Sequence, residues 1–109
     1  MATRSVNDKL VTKVVFINPS TATDTAVVAA ITGKSIKVHS VFTVATGANN
    51  VYFKSATTAI CGTMALAANG GFVLPFNENG WFSTVAGEAL NFTTSAAVAT
   101  GCTITYSEE

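Results

Sequence analysis

The sequence contains few charged residues and no concentration of them. Of its 109 residues only 11% are charged, and six basic and six acidic side chains leave no net charge. Soluble domains typically carry about 25% charged residues. No cluster of lysine and arginine is present to neutralise phosphates, and no apolar run approaches the roughly 20 residues of a membrane-spanning helix. We therefore expect neither a nucleic-acid partner nor a membrane.

Cysteine and histidine are scarce as well, with two cysteines and one histidine in the chain. Neither a CxxC motif nor a pair of closely spaced histidines occurs, so the sequence predicts no metal site. The N-terminal segment MATRSVNDK lacks the apolar core of a secretion signal, which favours assembly in a cytosol. There we expect Cys61 and Cys102 to be reduced and buried, with a disulfide between them as the alternative.

Groups that could carry out catalysis are few. His39 precedes Ser40, but adjacent strand residues point to opposite faces, so Ser40 is badly placed to act as its nucleophile. We expect His39 to be exposed or at an interface. Glu78 and Glu88 could form a glycosidase pair, although turn residues kept for solubility are the preferred interpretation. Since P-loop, GxGxxG, HExxH and EF-hand motifs are absent, the sequence predicts no enzyme and no cofactor.

Hydrophobic residues, by contrast, make up 49% of the chain. This share predicts a folded protein, and 109 residues suffice for one domain with a modest core. With so few charges, the surface must consist largely of Thr, Ser, Ala and Asn, which oppose association only weakly. The composition therefore favours an oligomer or a lattice-bound subunit over a free monomer.

Short runs of β-branched and aromatic residues recur at intervals of roughly 8–12 residues, with turn residues between them. There are about eight such runs, and no segment combines a helical period with caps at both ends. The pattern predicts an all-β protein, a single-domain antiparallel β-sandwich or jelly-roll-like barrel over residues 10–109. Residues 1–9 are polar and predict a flexible N-terminal arm. The ambiguous segment is TAVVAAIT at 25–32, which suits a strand or a helical turn.

The clearest alternation lies in SIKVHSVFTVAT, residues 35–46. Side chains of a half-buried strand alternate between a buried and a polar face. We therefore expect one buried face made by Ile36, Val38, Phe42 and Val44. The opposite face is expected to carry Lys37, His39 and Thr43.

The run LAANGGFVLPFNENGWFST, residues 66–84, combines turn residues with four aromatic side chains. Pro75 cannot donate to a sheet, so its strand is expected at an edge or broken by a bulge. Trp81 and Phe82 are neighbours on a predicted strand, so one faces inward and the other outward. Three interpretations of these aromatics stay open: a buried core, a protein interface, or a platform for a sugar ring. The candidate interface residues are Arg4, Phe72, Pro75, Phe76, Trp81 and Phe82.

A strand opened by Gly-Lys, a GANNVYFKS hairpin and the run AANGGFVLPFNENGWFSTVAGEALNF form a recognisable pattern. The pattern covers residues 33–106, about two thirds of the chain. It resembles small structural proteins of tailed bacteriophages, of the capsid decoration or cement type. The motif carries no catalytic signature, and it assigns no role to individual residues.

The resemblance implies a virion protein that binds the outside of the phage head and stabilises contacts between capsomers. It implies the major capsid protein as partner, a homotrimer at three-fold positions, and assembly in the host cytoplasm. Similar β-modules occur in tails and fibres, which leaves an alternative. In that case the chain would be a tail-fibre or adhesin-type module that binds a cell-surface glycan through Trp81, Phe82 or Tyr52.

Overall fold

The structure, a computed structural model, describes residues 11–109 as ten β-strands joined by turns and loops. The predicted arm at residues 1–9, with Arg4, lies outside the described residues. The strands are β1 (Lys13–Ile17), β2 (Asp24–Val28), β3 (Ile36–Ala45), β4 (Asn49–Ser55), β5 (Thr58–Ala59), β6 (Met64–Leu66), β7 (Gly71–Leu74), β8 (Phe82–Ser83), β9 (Leu90–Thr94) and β10 (Thr100–Glu108). Within residues 11–109, no helix is long and apolar enough to cross a membrane.

The strands form two antiparallel sheets packed against each other. Sheet A has the order β1-β10-β3, and both β7 and β8 pair with the far side of β3. Sheet B has the order β2-β9-β4, and both β5 and β6 pair with the far side of β4. Each sheet thus has four strand positions, the arrangement of a jelly roll. The prediction of an all-β sandwich is confirmed, and the ambiguous segment at 25–32 begins as a strand, β2.

Ten strands fill eight positions because β5 and β6 share one position beside β4, and β7 and β8 share one beside β3. Pro75 follows directly on β7, and the chain leaves β3 until Phe82 pairs with it again as β8. A tight turn with Gly80 at φ 81° brings the chain back. The strand of Pro75 was expected at an edge or broken by a bulge, and the first alternative is correct, because β7 is an edge strand that ends just before Pro75.

The core lies between the sheets and is built from inward-facing strand residues. Phe53 of β4 is at its centre, with ring centroids 5.0 Å from Phe92 and 5.2 Å from Phe82. Phe82 comes from the opposite sheet, so the two aromatic contacts join both layers. The buried apolar residues are Val27, Val28, Ile36, Val38, Val41, Ala45, Val51, Phe53, Leu66, Leu90, Phe92, Cys102 and Ile104.

The prediction for the two faces of β3 is wrong beyond Val38. Ile36 and Val38 are buried as expected, but Phe42 and Val44 are exposed. The residues that replace them in the core are Val41, Thr43 and Ala45. The alternation therefore reverses in the middle of the strand.

A β-bulge at His39 causes this reversal. On β10, Tyr106 pairs with Val38, and the residue before it, Thr105, pairs with Ser40. His39 therefore has no partner on β10 and is the extra residue of the bulge. One extra residue moves the rest of the strand to the other phase of the pleat. The prediction from the sequence rests on strict alternation and therefore cannot include an extra residue of this kind.

Candidate interface

Sheet A presents an uncovered apolar surface on the side away from the core. Directly paired residues of an antiparallel sheet point to the same side. One row of pairs crosses the whole sheet, from Phe16 on β1 through Thr103 and Phe42 to Val73 on β7. Neighbouring rows add Val14 and Val44. We call this surface the open face; its large apolar side chains are Val14, Phe16, Phe42, Val44 and Val73.

These five side chains are between 55% and 71% exposed. Taking about 200 Å² for a fully exposed Phe and somewhat less for a Val, they expose on the order of 500 Å² of apolar surface. This is near the upper end of the roughly 300–600 Å² that the largest apolar patch of a monomer reaches, and such patches are often functional. In the three rows of paired residues that contain these side chains none is charged; the others are Ser40, Gly71, Gly101, Thr103 and Thr105. Lys37, which pairs with Ser107 in the next row, forms an ion pair with Glu109.

A groove of ≈ 460 Å³ lies at the β7 edge of the open face, next to Phe42, Val44 and Val73. Its floor includes Gly71. A Cβ atom at Gly71 would lie 1.9 Å from the carbonyl oxygen of Thr43, so any side chain there would push β7 away from β3. Glycine thus allows the close approach of the two backbones and keeps the groove open.

The remainder of this side of sheet A is covered by the loop that follows Pro75. His39 is completely buried there, which corrects the expectation of an exposed or interface histidine. Its Nδ1 lies 2.8 Å from the carbonyl oxygen of Asn77, and its Nε2 lies 2.8 Å from Oγ of Ser107. The ring of Phe76 stacks on it at 5.5 Å. The bulge residue therefore attaches the loop to the sheet.

Ser107 continues this network to the C-terminus. Its hydroxyl donates to the carboxylate of Glu109 at 2.9 Å, and Glu109 also pairs with Lys37 at 3.4 Å. The sequence gives no sign that His39 and Ser107 meet, because 68 positions separate them. Ser40, the serine next to His39 in the sequence, is not its hydrogen-bond partner. A serine next to histidine and glutamate suggests a hydrolase, but Ser107 is only 3% exposed and a substrate cannot reach it.

We expect Ser107→Ala to lower the free energy of unfolding by about 1–2 kcal/mol, because it leaves the buried Nε2 of His39 without its partner. Urea unfolding followed by tryptophan fluorescence measures this. Ser20→Ala, in an exposed loop, is the control and should be close to neutral. If both variants were equally stable, the His39 network would not support the fold.

The predicted aromatic interface is divided between two places. Phe76 covers His39, whereas Phe72, Trp81 and Phe82 line a cleft of ≈ 330 Å³ between the open edges of the two sheets. Phe72 and Phe82 pack against the core, but Trp81 is 42% exposed. The prediction that only one of Trp81 and Phe82 faces outward is correct.

The polar groups of this corner bond to one another. The indole Nε1–H of Trp81 donates to the carbonyl oxygen of Pro75 at 2.8 Å. The side-chain oxygen of Asn77 accepts from the backbone N–H of Asn79 at 3.0 Å. Pro75 itself is exposed. The structure therefore distributes the described members of the predicted set over the cleft and the loop, and among them Phe72 also lines the groove beside the open face.

The two carboxylates considered for catalysis lie in loops, as expected. Glu88 accepts a hydrogen bond from Ser55, whose Oγ also accepts one from the backbone N–H of Val85. This arrangement attaches the 85–88 turn to β4. Glu78 lies in the turn before Gly80. No group of three or more His, Cys, Asp or Glu side chains suited to a metal ion occurs in the described part of the chain.

Both cysteines are free thiols in the structure. Burial raises the pKa of the Cys102 thiol to about 11, and it raises the pKa of the half-buried Cys61 as well. Because the thiolate is the reactive form, native protein at pH 8 should react slowly with a thiol reagent at Cys61 and hardly at all at Cys102.

Mass spectrometry after iodoacetamide treatment checks this order of reactivity. Both sites should be modified rapidly in denaturant, and Cys61→Ser should abolish most of the labelling of native protein. Modification of Cys102 at the same rate as Cys61 would contradict the burial of Cys102 in sheet A.

Comparison with known proteins gives a distant likeness in fold. No family model matches the chain, and no curated protein matches it. A solved structure described as "Bacillus endospore appendages form a novel family of disulfide-linked pili" is similar in fold, with 19% sequence identity and a TM-score of 0.49. The likeness covers 98% of this chain and 97% of that chain. A likeness this distant does not transfer a function.

Proposed function

We propose that this chain is a structural protein that works in a multi-copy assembly on a virion surface. The observation that supports the proposal is the open face: about 500 Å² of apolar surface with no charged residue in the three described rows of paired residues that form it. A patch of this size is near the upper end of what a monomer exposes, and such patches are often functional as contact surfaces. An assembly subunit needs such contact surface and needs no catalytic group.

In its specific form, the proposal is a decoration or cement protein of a tailed-phage head, as the resemblance of residues 33–106 implies. The partner is then the major capsid protein, the location is the outer capsid surface, and assembly takes place in the host cytoplasm. We also propose that the chain is not an enzyme. Many copies, each burying a moderate area, would stabilise a shell by avidity. The resemblance implies three copies per site.

The alternative, recognition of a cell-surface glycan at Trp81, is less well supported. Sugar binding needs an exposed aromatic ring next to free polar groups in a groove. Here the indole N–H of Trp81 and the side-chain oxygen of Asn77 already have partners within the loop. The adjoining cleft is lined mainly by apolar side chains, among them Phe53, Met64 and Leu74.

The test is sedimentation with phage heads. Purified protein is mixed with expanded heads from which the protein has been stripped, the heads are pelleted, and the bound copies are counted. We expect saturable binding at a fixed multiple of the number of three-fold positions. Heads that still carry their own copies are the control and should bind little. If nothing pellets with intact stripped heads, the decoration proposal is wrong, and a glycan screen with Trp81→Ala as control should follow.

A further inference from the structure

We propose that the open face binds the open face of a second copy of this chain, related to the first by a two-fold axis. This rests on the proposal that the chain works in an assembly, and it names the partner of the open face. Surfaces other than the open face would then contact the rest of the assembly, and a two-fold pair would take the place of the trimer that the resemblance implies.

Two other occupants are less suitable. The sequence of residues 1–10, MATRSVNDKL, is mostly polar and offers few apolar side chains to such a face. A charged partner would find no charge to pair with in the three described rows of the face, and its own charges would lose water without compensation. A second copy brings an equally apolar and equally uncharged surface.

The order of strands makes the face complementary to itself. A two-fold axis parallel to the strands, midway between β10 and β3, places β10 of one copy over β3 of the other and β1 over β7. The row that crosses the sheet then lies over its own copy, so that Phe42 meets the small Thr103 and Phe16 meets Val73.

The neighbouring row repeats this pairing of large with small. There Val44 of one copy lies over Gly101 of the other, and the groove at Gly71 provides space for the partner's β1 edge. Sheets that pack face to face do so at about 10 Å with an angle of about 30° between their strands, which this twisted surface allows. Side chains of both copies can therefore interdigitate without a charge between them, and Asn18, whose Oδ1 would lie 3.3 Å from a Cβ atom at Gly101, is a polar neighbour of Val44 at this end of the contact.

The area is of the right size for a stable pair. A standard interface buries about 800 Å² per partner, and homodimer interfaces are about 65% apolar. The five large side chains supply on the order of 500 Å², and the threonine, serine and glycine residues between them supply the polar remainder. Since the chain has no net charge, electrostatic repulsion between copies is small and the association should depend little on salt.

Sedimentation equilibrium of the full chain tests the inference. We expect a species with twice the 11.2 kDa of one chain at micromolar concentration. Phe42→Ser should raise the dissociation constant at least about tenfold, because it removes a buried aromatic contact in each copy. The matched control is Val85→Ser, which changes an equally exposed valine outside the face, 62% exposed, and should leave association unchanged. Circular dichroism verifies that both variants are folded.

A cross-link tests the two-fold arrangement itself. In a Cys61→Ser background, the double variant Phe16→Cys, Val73→Cys should form covalent dimers with a short bis-maleimide that reaches across sheets packed about 10 Å apart, whereas Phe16→Cys alone should not. Monomeric protein at 100-fold higher concentration, or trimers unaffected by Phe42→Ser, would overturn the inference.

The head-binding assay separates this inference from the proposed function. If Phe42→Ser is monomeric and still binds stripped heads, both proposals hold and different surfaces serve them. If the wild-type chain is a dimer that does not bind heads, only the decoration function fails. If the wild-type chain is a monomer whose binding to heads is abolished by Phe42→Ser, the open face contacts the shell and the inference of a dimer is wrong.

Discussion

Replacing Phe53 with alanine should lower the free energy of unfolding by about 3–5 kcal/mol. The side chain is completely buried, and its ring contacts Phe92 in its own sheet and Phe82 in the opposite sheet. Its removal leaves a cavity where the two layers meet, and the strands around it, β4 and β9, cannot collapse without breaking their pairing. A domain of this size is stable by only about 5–15 kcal/mol, so much of the stability would be lost.

Equilibrium unfolding in urea, monitored by circular dichroism, measures this effect. Val85→Ala is the control, because this valine is exposed and should change the free energy by no more than about 0.5 kcal/mol. Both variants should be compared at one protein concentration, since association would add to the apparent stability. A loss below about 1 kcal/mol for Phe53→Ala would mean that the contact between the sheets is looser than the structure indicates.

Replacing Gly71 with alanine should destabilise the protein by about 3 kcal/mol or more, a large effect for a single exposed methyl group. The new Cβ would lie 1.9 Å from the carbonyl oxygen of Thr43, which belongs to the backbone and cannot rotate away. β7 would have to separate from β3 at this point. We expect faster hydrogen exchange of the β7 amides together with the loss of stability.

Gly62→Ala is the matched control for this prediction. Gly62 is exposed, a Cβ there would meet nothing within 4 Å, and its φ does not lie in the left-handed region. This substitution should be neutral or stabilising by up to about 1 kcal/mol, because alanine restricts the unfolded chain. Equal effects at both positions would show that the clash at Gly71 is relieved by a small backbone movement.

The fold class could be predicted from the sequence because it depends on local patterns. The β-branched runs and the turn residues between them determine the number of strand positions, and Pro75 indicated that its strand, β7, lies at a sheet edge. Burial of Val51 and Phe53 on one face of β4 likewise follows from strict alternation. Such features need only the residues of one strand and its neighbouring turns.

The candidate site could not be predicted in the same way. The open face depends on the register between β3 and β10, where one unpaired residue, His39, reverses the direction of Phe42 and Val44. The partners of His39, Asn77 and Ser107, are 38 and 68 positions away. The composition of the run at 66–84 predicts an aromatic interface. Instead, its rings pack against the core, stack on His39 or line the cleft.

The bulge at His39 means that the length of a strand, and not its composition, decides which side of this protein is apolar. A version of β3 with the bulge kept and one residue fewer between His39 and Phe42 would have nearly the same hydrophobic content. Its alternation after the bulge would bring Phe42 and Val44 to the same side as Ile36 and Val38. The two chains would have nearly the same hydrophobicity, yet only the natural one would expose an apolar face that can bind a partner. Insertions and deletions in this strand therefore deserve as much weight as substitutions when related sequences are compared.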